Sequence, residues 1–345
     1  MVSVQILDGG LGTSLQDKYG VKFSSTDTPL WASHMLVSDP KTLQACQSDF
    51  GEAGVDILLT ATYQVYTEGF QKTKTAEFPE GIPASEVGKY LRTAVDVAEV
   101  SKLRDSAKIA LSLGPYGACM IPGQEYGGLY DEEHDDEDKL YQWHLERLRL
   151  FQNVEGQDLT SRIQYVAFET LPRLDEVRAV RRAIHDSGIN APFWITCVFP
   201  REDECLPDGS SVEQVVEASI APVERALVPC GIGMNCTKVH KLSGLVDKFG
   251  ACVQHAISTG LASDVPSLVL YPDGTNGEVY NTTTQIWEKP AAEKGKQDAR
   301  PWEVQLAQIV KEANAKGPFK NFIVGGCCKA SHKDINKLRE QFTTA

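Results

Sequence analysis

Eight short runs rich in β-branched and apolar residues punctuate the chain, and almost every one leads through polar or glycine residues into a stretch with helical spacing. That alternation constrains the fold more than any other feature, because successive strands separated by a helix must pair in parallel through a crossover. The sequence predicts strands over residues 4–7, 55–60, 108–113, 164–168, 193–198, a run ending at Cys236, 267–271 and a run opening at Asn321. Helical spacing is found over 40–50, in a segment after Ser85 that carries Val87, Leu91, Ala94, Val95 and Ala98, and over 139–154, 174–187, 212–220, 242–257, 302–313 and 334–342. Ser85 is the expected N-cap of its helix, and Gly188 the expected stop after 187. No clear helix is expected directly after Asp8-Gly9-Gly10-Leu11-Gly12-Thr13, whose glycines also lack the dinucleotide spacing. Eight such units without a Gly/Ser linker favour a single-domain (β/α)8 barrel over residues 1–345. A doubly wound open sheet would use the same alternation.

The polar residues sharpen that choice. Asp8, Thr62, Tyr116, Glu169, Cys236, Asp273 and Cys327 all follow the carboxyl ends of predicted strands, which in a barrel form one rim. Asn321-Phe322-Ile323-Val324 runs into Gly325-Gly326-Cys327-Cys328, and the sixth strand ends in Asn235-Cys236. On a shared rim, Cys236, Cys327 and Cys328 can converge on one cation and leave its fourth position open, the arrangement of a catalytic zinc site. Thiolates are soft ligands and zinc has no redox chemistry to damage a substrate thiol. Such an electron-rich ion generates hydroxide poorly, but it suits a fourth, incoming thiolate that attacks a methyl group on a sulfonium. The leaving group departs as a neutral thioether, so no general acid is needed. Asp8 and Glu169 are placed to hold an amino-acid ammonium, and the N–H groups of Gly9, Gly10 and Leu11 to take its carboxylate.

Other features exclude or add little. The balance of 34 Lys+Arg against 47 Asp+Glu gives a formal charge of -13, which opposes nucleic acid and anionic membranes as partners. Nine cysteines without a framework spacing fit reduced thiols better than disulfides, and with no signal or spanning segment evident a cytoplasmic enzyme is expected. The acidic run from Asp131 to Asp138 reads as a solvated loop, and the polar stretch from Thr275 to Arg300 as an elaborated loop over the rim. Cys327-Cys328 as a redox pair is the competing reading of the vicinal thiols.

Taken together, Asp8-Gly9-Gly10, Phe168-Glu169-Thr170, Met234-Asn235-Cys236 and Gly325-Gly326-Cys327-Cys328 resemble the homocysteine S-methyltransferases. Thr28-Pro29-Leu30-Trp31, Gly114-Pro115-Tyr116-Gly117 and Tyr271-Pro272 look like further signatures of that family, so the resemblance covers nearly the whole chain. It implies a zinc-dependent barrel with Cys236, Cys327 and Cys328 as ligands, homocysteine as methyl acceptor and methionine as product. By the same resemblance Asp8 and Glu169 would hold the substrate ammonium, and Asn235 would support the zinc shell beside the substrate. Within the family a sulfonium donor is expected, S-methylmethionine ahead of S-adenosylmethionine. Betaine or selenocysteine methyl transfer, and a non-enzymatic zinc- or redox-sensing barrel, are the alternatives. Tyr271-Pro272-Asp273-Gly274 departs from the Tyr-Pro-Asn-Ser-Gly-Glu common among relatives, so no donor contact is carried over there.

Overall fold

The structure, a computed structural model, describes residues 3–24, 27–275, 278–281, 286–288 and 300–343. Eight parallel strands form one sheet: β1 (Ser3–Ile6), β2 (Ile57–Leu59), β3 (Lys108–Leu113), β4 (Tyr165–Leu171), β5 (Phe193–Cys197), β6 (Gly231–Lys238), β7 (Ser267–Asp273) and β8 (Asn321–Val324). Their order is β1-β8-β7-β6-β5-β4-β3-β2. A parallel bridge from Leu7 to Ile57 joins the two ends. Asp56 reinforces that seam, its N–H donating to the Ile6 carbonyl at 2.7 Å and its Oδ2 accepting from the Ile6 N–H at 2.8 Å. The fold is therefore a (β/α)8 barrel and not an open sheet.

Around the sheet lie α1 (Leu11–Tyr19), α2 (Pro40–Glu52), α3 (Val87–Ser101), α4 (Glu137–Arg149), α5 (Leu174–Ser187), α6 (Val212–Ile220), α7 (Leu242–Ser258), α8 (Trp302–Lys316) and α9 (His332–Thr343), with two shorter helices at Met35–Ser38 and Thr67–Lys72. Helix α1 corrects the sequence expectation. Its Gly12, Thr13 and Ser14 are poor helix formers that packing overrides: all three are buried, with Leu15 behind them. Ser85 is not the cap of α3; residues Ala84–Glu86 form a 3-10 turn, and Glu86 takes the N-cap position without a side-chain bond. Gly188 does close α5, in the left-handed region at φ 72° that glycine adopts without strain.

Two cores follow from strand alternation. Leu7, Ile57, Ala110, Ala167, Trp194, Val269, Tyr271 and Ile323 fill the barrel interior. The residues between them, such as Ile109, Leu111, Val166, Phe168, Ile232 and Met234, face the helices and join the larger outer core. On β6 the inward positions are glycines for a steric reason: a Cβ on Gly233 would lie 1.9 Å from the Val269 carbonyl oxygen. Of the elaborated loop, Val279–Asn281 pairs antiparallel with Ile286–Glu288, and residues 289–299 lie outside the described residues. No helix among the described residues is long and apolar enough to cross a membrane.

Candidate active site

A cavity of about 370 Å³ opens at the carboxyl ends of the strands. The ends of β4 and β6 are where the sheet becomes irregular, with register shifts between Phe168 and Leu171 and between Asn235 and Lys238. Thr170 and Cys236 take positive φ, 62° and 46°, in a region non-glycine residues avoid at a cost of roughly 1–3 kcal/mol. The two irregularities hold each other. Asn235 Oδ1 accepts the Thr170 N–H at 2.8 Å, while its Nδ2 donates to Thr170 Oγ1 at 2.7 Å and to Cys236 Sγ at 3.3 Å. Asn235 thus orients the cysteine that follows it.

The turn after β8 is fixed by backbone bonds. Gly326 N–H donates to the Asp8 carbonyl at 2.9 Å, Cys327 N–H to Pro272 at 2.8 Å, and Gly274 N–H to Cys328 at 2.8 Å. Gly10 admits this turn closely, since a Cβ there would lie 2.4 Å from the Cys327 oxygen. The Gly10 N–H is spent on the Ala330 carbonyl at 2.9 Å, so it is not available to a substrate carboxylate. What faces the cavity in its place is the first turn of α1, Leu11, Gly12 and Thr13.

Cys236, Cys327 and Cys328 meet, with an addition the sequence reading left out of the ligand set: ligand atoms of these three and of Asp273 all lie within 4.8 Å of one another. Cys236 and Cys327 are joined as a disulfide, 91 residues apart in sequence. That pairing corrects the expectation of thiols without disulfides, and it is not the vicinal pair considered as a redox couple. The remaining cysteines are buried or partly buried except Cys230, which is exposed.

The chemistry of this donor set fits a soft cation. Burial first, then the charges of Asp273 and Glu125, hold the Cys328 thiol well above its ordinary range, so Cys328 has little tendency to ionise without a cation beside it. Burial likewise pushes Asp273 up to about 7 against the pull of Lys238, and its Oδ1 is sealed from solvent with no hydrogen-bond partner. An orphaned carboxylate oxygen among three sulfurs is accounted for by an ion.

Asp8 and Glu169 sit on the same cavity. Asp8 Oδ2 accepts the Leu59 N–H at 2.8 Å, whereas Oδ1 is buried without a partner. Glu169 Oε1 accepts the Ser112 hydroxyl at 2.5 Å. Burial raises both acids, Glu169 to about 7, and the charge of Glu169 raises Asp8 further. Burial and mutual repulsion both oppose ionising the two acids together, so this part of the cavity favours a cation over an anion. Thr28, Pro29 and Trp31 line the far wall, and Gly12 leaves room for the Trp31 ring, 2.4 Å from where a Cβ would stand.

The family profile of the homocysteine S-methyltransferases matches residues 5–342. The chain belongs to that family. It is 27% identical to homocysteine S-methyltransferase 1 of Arabidopsis thaliana, over 96% of this chain and 91% of the plant protein. Against homocysteine S-methyltransferase YbgG of Bacillus subtilis the identity is 26%, over 96% and 92%. The metallated form of the homocysteine methyltransferase MmuM from Escherichia coli superposes with a TM-score of 0.68 at 22% identity, over 98% of this chain and 96% of that one, which shows the shared fold. This homocysteine S-methyltransferase family member is accordingly a methyltransferase.

Sequence reasoning missed part of the site. Glu125 and Tyr126 line the cavity from the loop after β3. No periodicity marks them. The acidic segment holds that loop: Asp131 accepts from the Tyr116 hydroxyl and contacts His134, Asp135 pairs with Arg173, and Asp136 caps α4 at the Lys139 N–H.

Proposed function

We propose that the protein transfers a methyl group from a sulfonium donor, S-methylmethionine before S-adenosylmethionine, to the thiol of homocysteine, with zinc held by Cys236, Cys327 and Cys328. One observation carries this reading: three sulfurs from two distant segments meet beside a pair of buried acids whose geometry calls for a cation. Bound there, zinc would lower the pKa of an incoming thiol while leaving its sulfur nucleophilic. Asp8 Oδ1 and Glu169 receive the ammonium of the acceptor, and the first turn of α1 offers its N–H groups to the carboxylate. So oriented, the acceptor thiol gives its proton to solvent and its sulfur attacks the donor methyl carbon in line. The carbon–sulfur bond of the donor breaks, its electron pair stays on the donor sulfur, and a neutral thioether leaves.

Asp273 could complete a set of four with the three sulfurs, and in the methyltransferase reading the fourth position would belong to the acceptor thiol instead. The cytoplasm, where thiols stay reduced, suits a site whose Cys236 and Cys327 otherwise pair with each other. The specific observation behind the sensing alternative is this four-residue closure together with that disulfide. Metal analysis of the reduced protein, coupled to methionine formation from homocysteine and each donor, separates the readings. Zinc near one equivalent with turnover supports the transferase; metal binding without turnover on any donor defeats it.

A further inference from the structure

The pocket holds a third acid that neither the ligand set nor the acceptor site uses. Glu125 lines the cavity, and although the residue as a whole is only partly shielded, its Oε2 is sealed from solvent and has no hydrogen-bond partner. The carboxylate folds back over Gly123, where a Cβ would stand 2.5 Å from Oε2, so glycine there leaves space for it. Burial pushes Glu125 up to about 7. Its charge reaches Tyr63, Tyr126 and Cys328, which line the same cavity.

The loop that carries Glu125 is pinned. Glu176 on α5 accepts the Tyr116 N–H at 2.7 Å and the Tyr130 hydroxyl at 2.6 Å, one at each end of the loop. Gln124 N–H donates to the Gly117 carbonyl at 2.7 Å, the Gly128 N–H to Gln124 at 2.7 Å, and Gln64 Nε2 to Ala118 at 2.5 Å. An acid held this firmly with a bare buried oxygen is a preorganised counter-charge.

We infer that Glu125 is the anchor for the α-ammonium of a sulfonium amino-acid donor, the counterpart of what Asp8 and Glu169 are for the acceptor. This rests on the proposed sulfonium chemistry. The choice of ammonium over sulfonium follows from charge bookkeeping. The sulfonium loses its charge as the methyl leaves, so a carboxylate fixed on it would stabilise the ground state more than the transition state. The ammonium keeps its charge throughout, and a contact to it strengthens donor binding without slowing the chemistry.

The test is steady-state kinetics of Glu125→Gln and Glu125→Ala on the zinc-loaded protein, with S-methylmethionine and with its deaminated analogue, dimethyl(3-carboxypropyl)sulfonium. For S-methylmethionine, loss of a charge-assisted contact should raise the donor KM about 10- to 100-fold, with the homocysteine KM within about twofold and kcat at saturating donor changed far less. For the deaminated donor, wild type should already show the raised KM and Glu125→Gln should add nothing. Unchanged zinc content and homocysteine binding certify that the variants are folded. A wild-type donor KM in Glu125→Gln, an equal loss on both donors, or a kcat that rises would each overturn the assignment while the parent reading stands. A wild-type protein inert with every sulfonium donor would instead remove the parent reading, and this assignment with it.

Discussion

The two halves of the cavity are built differently. The proposed acceptor half stands on strand ends: Asp8 follows β1, Glu169 lies within β4, and Cys236 within β6. They are held by bonds between strands: Leu59 N–H to Asp8, the Ser112 hydroxyl to Glu169, and Asn235, beside Cys236, to Thr170. The proposed donor half stands on the loop after β3, which hangs from Glu176 through Tyr116 and Tyr130. Strand ends supply fixed positions for the chemistry common to a family; a loop supplies a wall that can change without disturbing the barrel.

That contrast breaks in a graded way. Cys327→Ser removes a proposed zinc ligand from the strand-end half and should cut turnover by about a thousandfold or more together with zinc retention, read by metal analysis beside the methionine assay. Retained activity would sink the ligand assignment. Glu169→Gln should lower kcat/KM for homocysteine roughly 10- to 100-fold while donor KM stays near wild type, the mirror image of Glu125→Gln. A loss shared equally by both substrates would show that the two halves are not separable. Glu176→Gln loosens the loop anchor and should raise donor KM about three- to tenfold with homocysteine KM unchanged, because the Glu176 carboxylate holds Tyr116, Tyr130 and the buried His144 and touches neither substrate half directly.

The smallest effect is a pH dependence. Glu169 sits at about 7 in the fold against an ordinary 4.5, so below neutrality it is protonated and homocysteine should bind more weakly, its KM rising up to about tenfold per pH unit. The same shift has the opposite consequence for the empty protein. Between pH 4.5 and 7 the unfolded chain binds fewer protons at this residue than the folded one, so the stability it contributes is present below 4.5 and lost as pH rises through 7. Glu169→Gln should therefore flatten that part of the thermal stability profile of the ligand-free protein, and an unchanged slope would assign the titration elsewhere.

Much of this was legible along the chain, because strand alternation and glycine turns are local. Lys108–Leu113, Val212–Ile220 and Asn321–Val324 occur as the pattern predicts, and the rim position of Asp8, Glu169 and the three cysteines follows from where strands end. Helix α1 and the true start of α3 were not legible, since tertiary burial and a 3-10 turn override local preference there.

By itself the sequence determined the order of the eight strands and of the helices after α1, the family, and the strand-end residues at the barrel mouth, all consequences of short-range periodicity and spacing. Only the tertiary structure decided that β1 meets β2 through Leu7 and Ile57, that Asp273 joins the three sulfurs, and that Glu125 lines the cavity with one oxygen buried and unpartnered. Those are matters of distance between segments far apart in the chain, and closing the barrel is what brings them within reach.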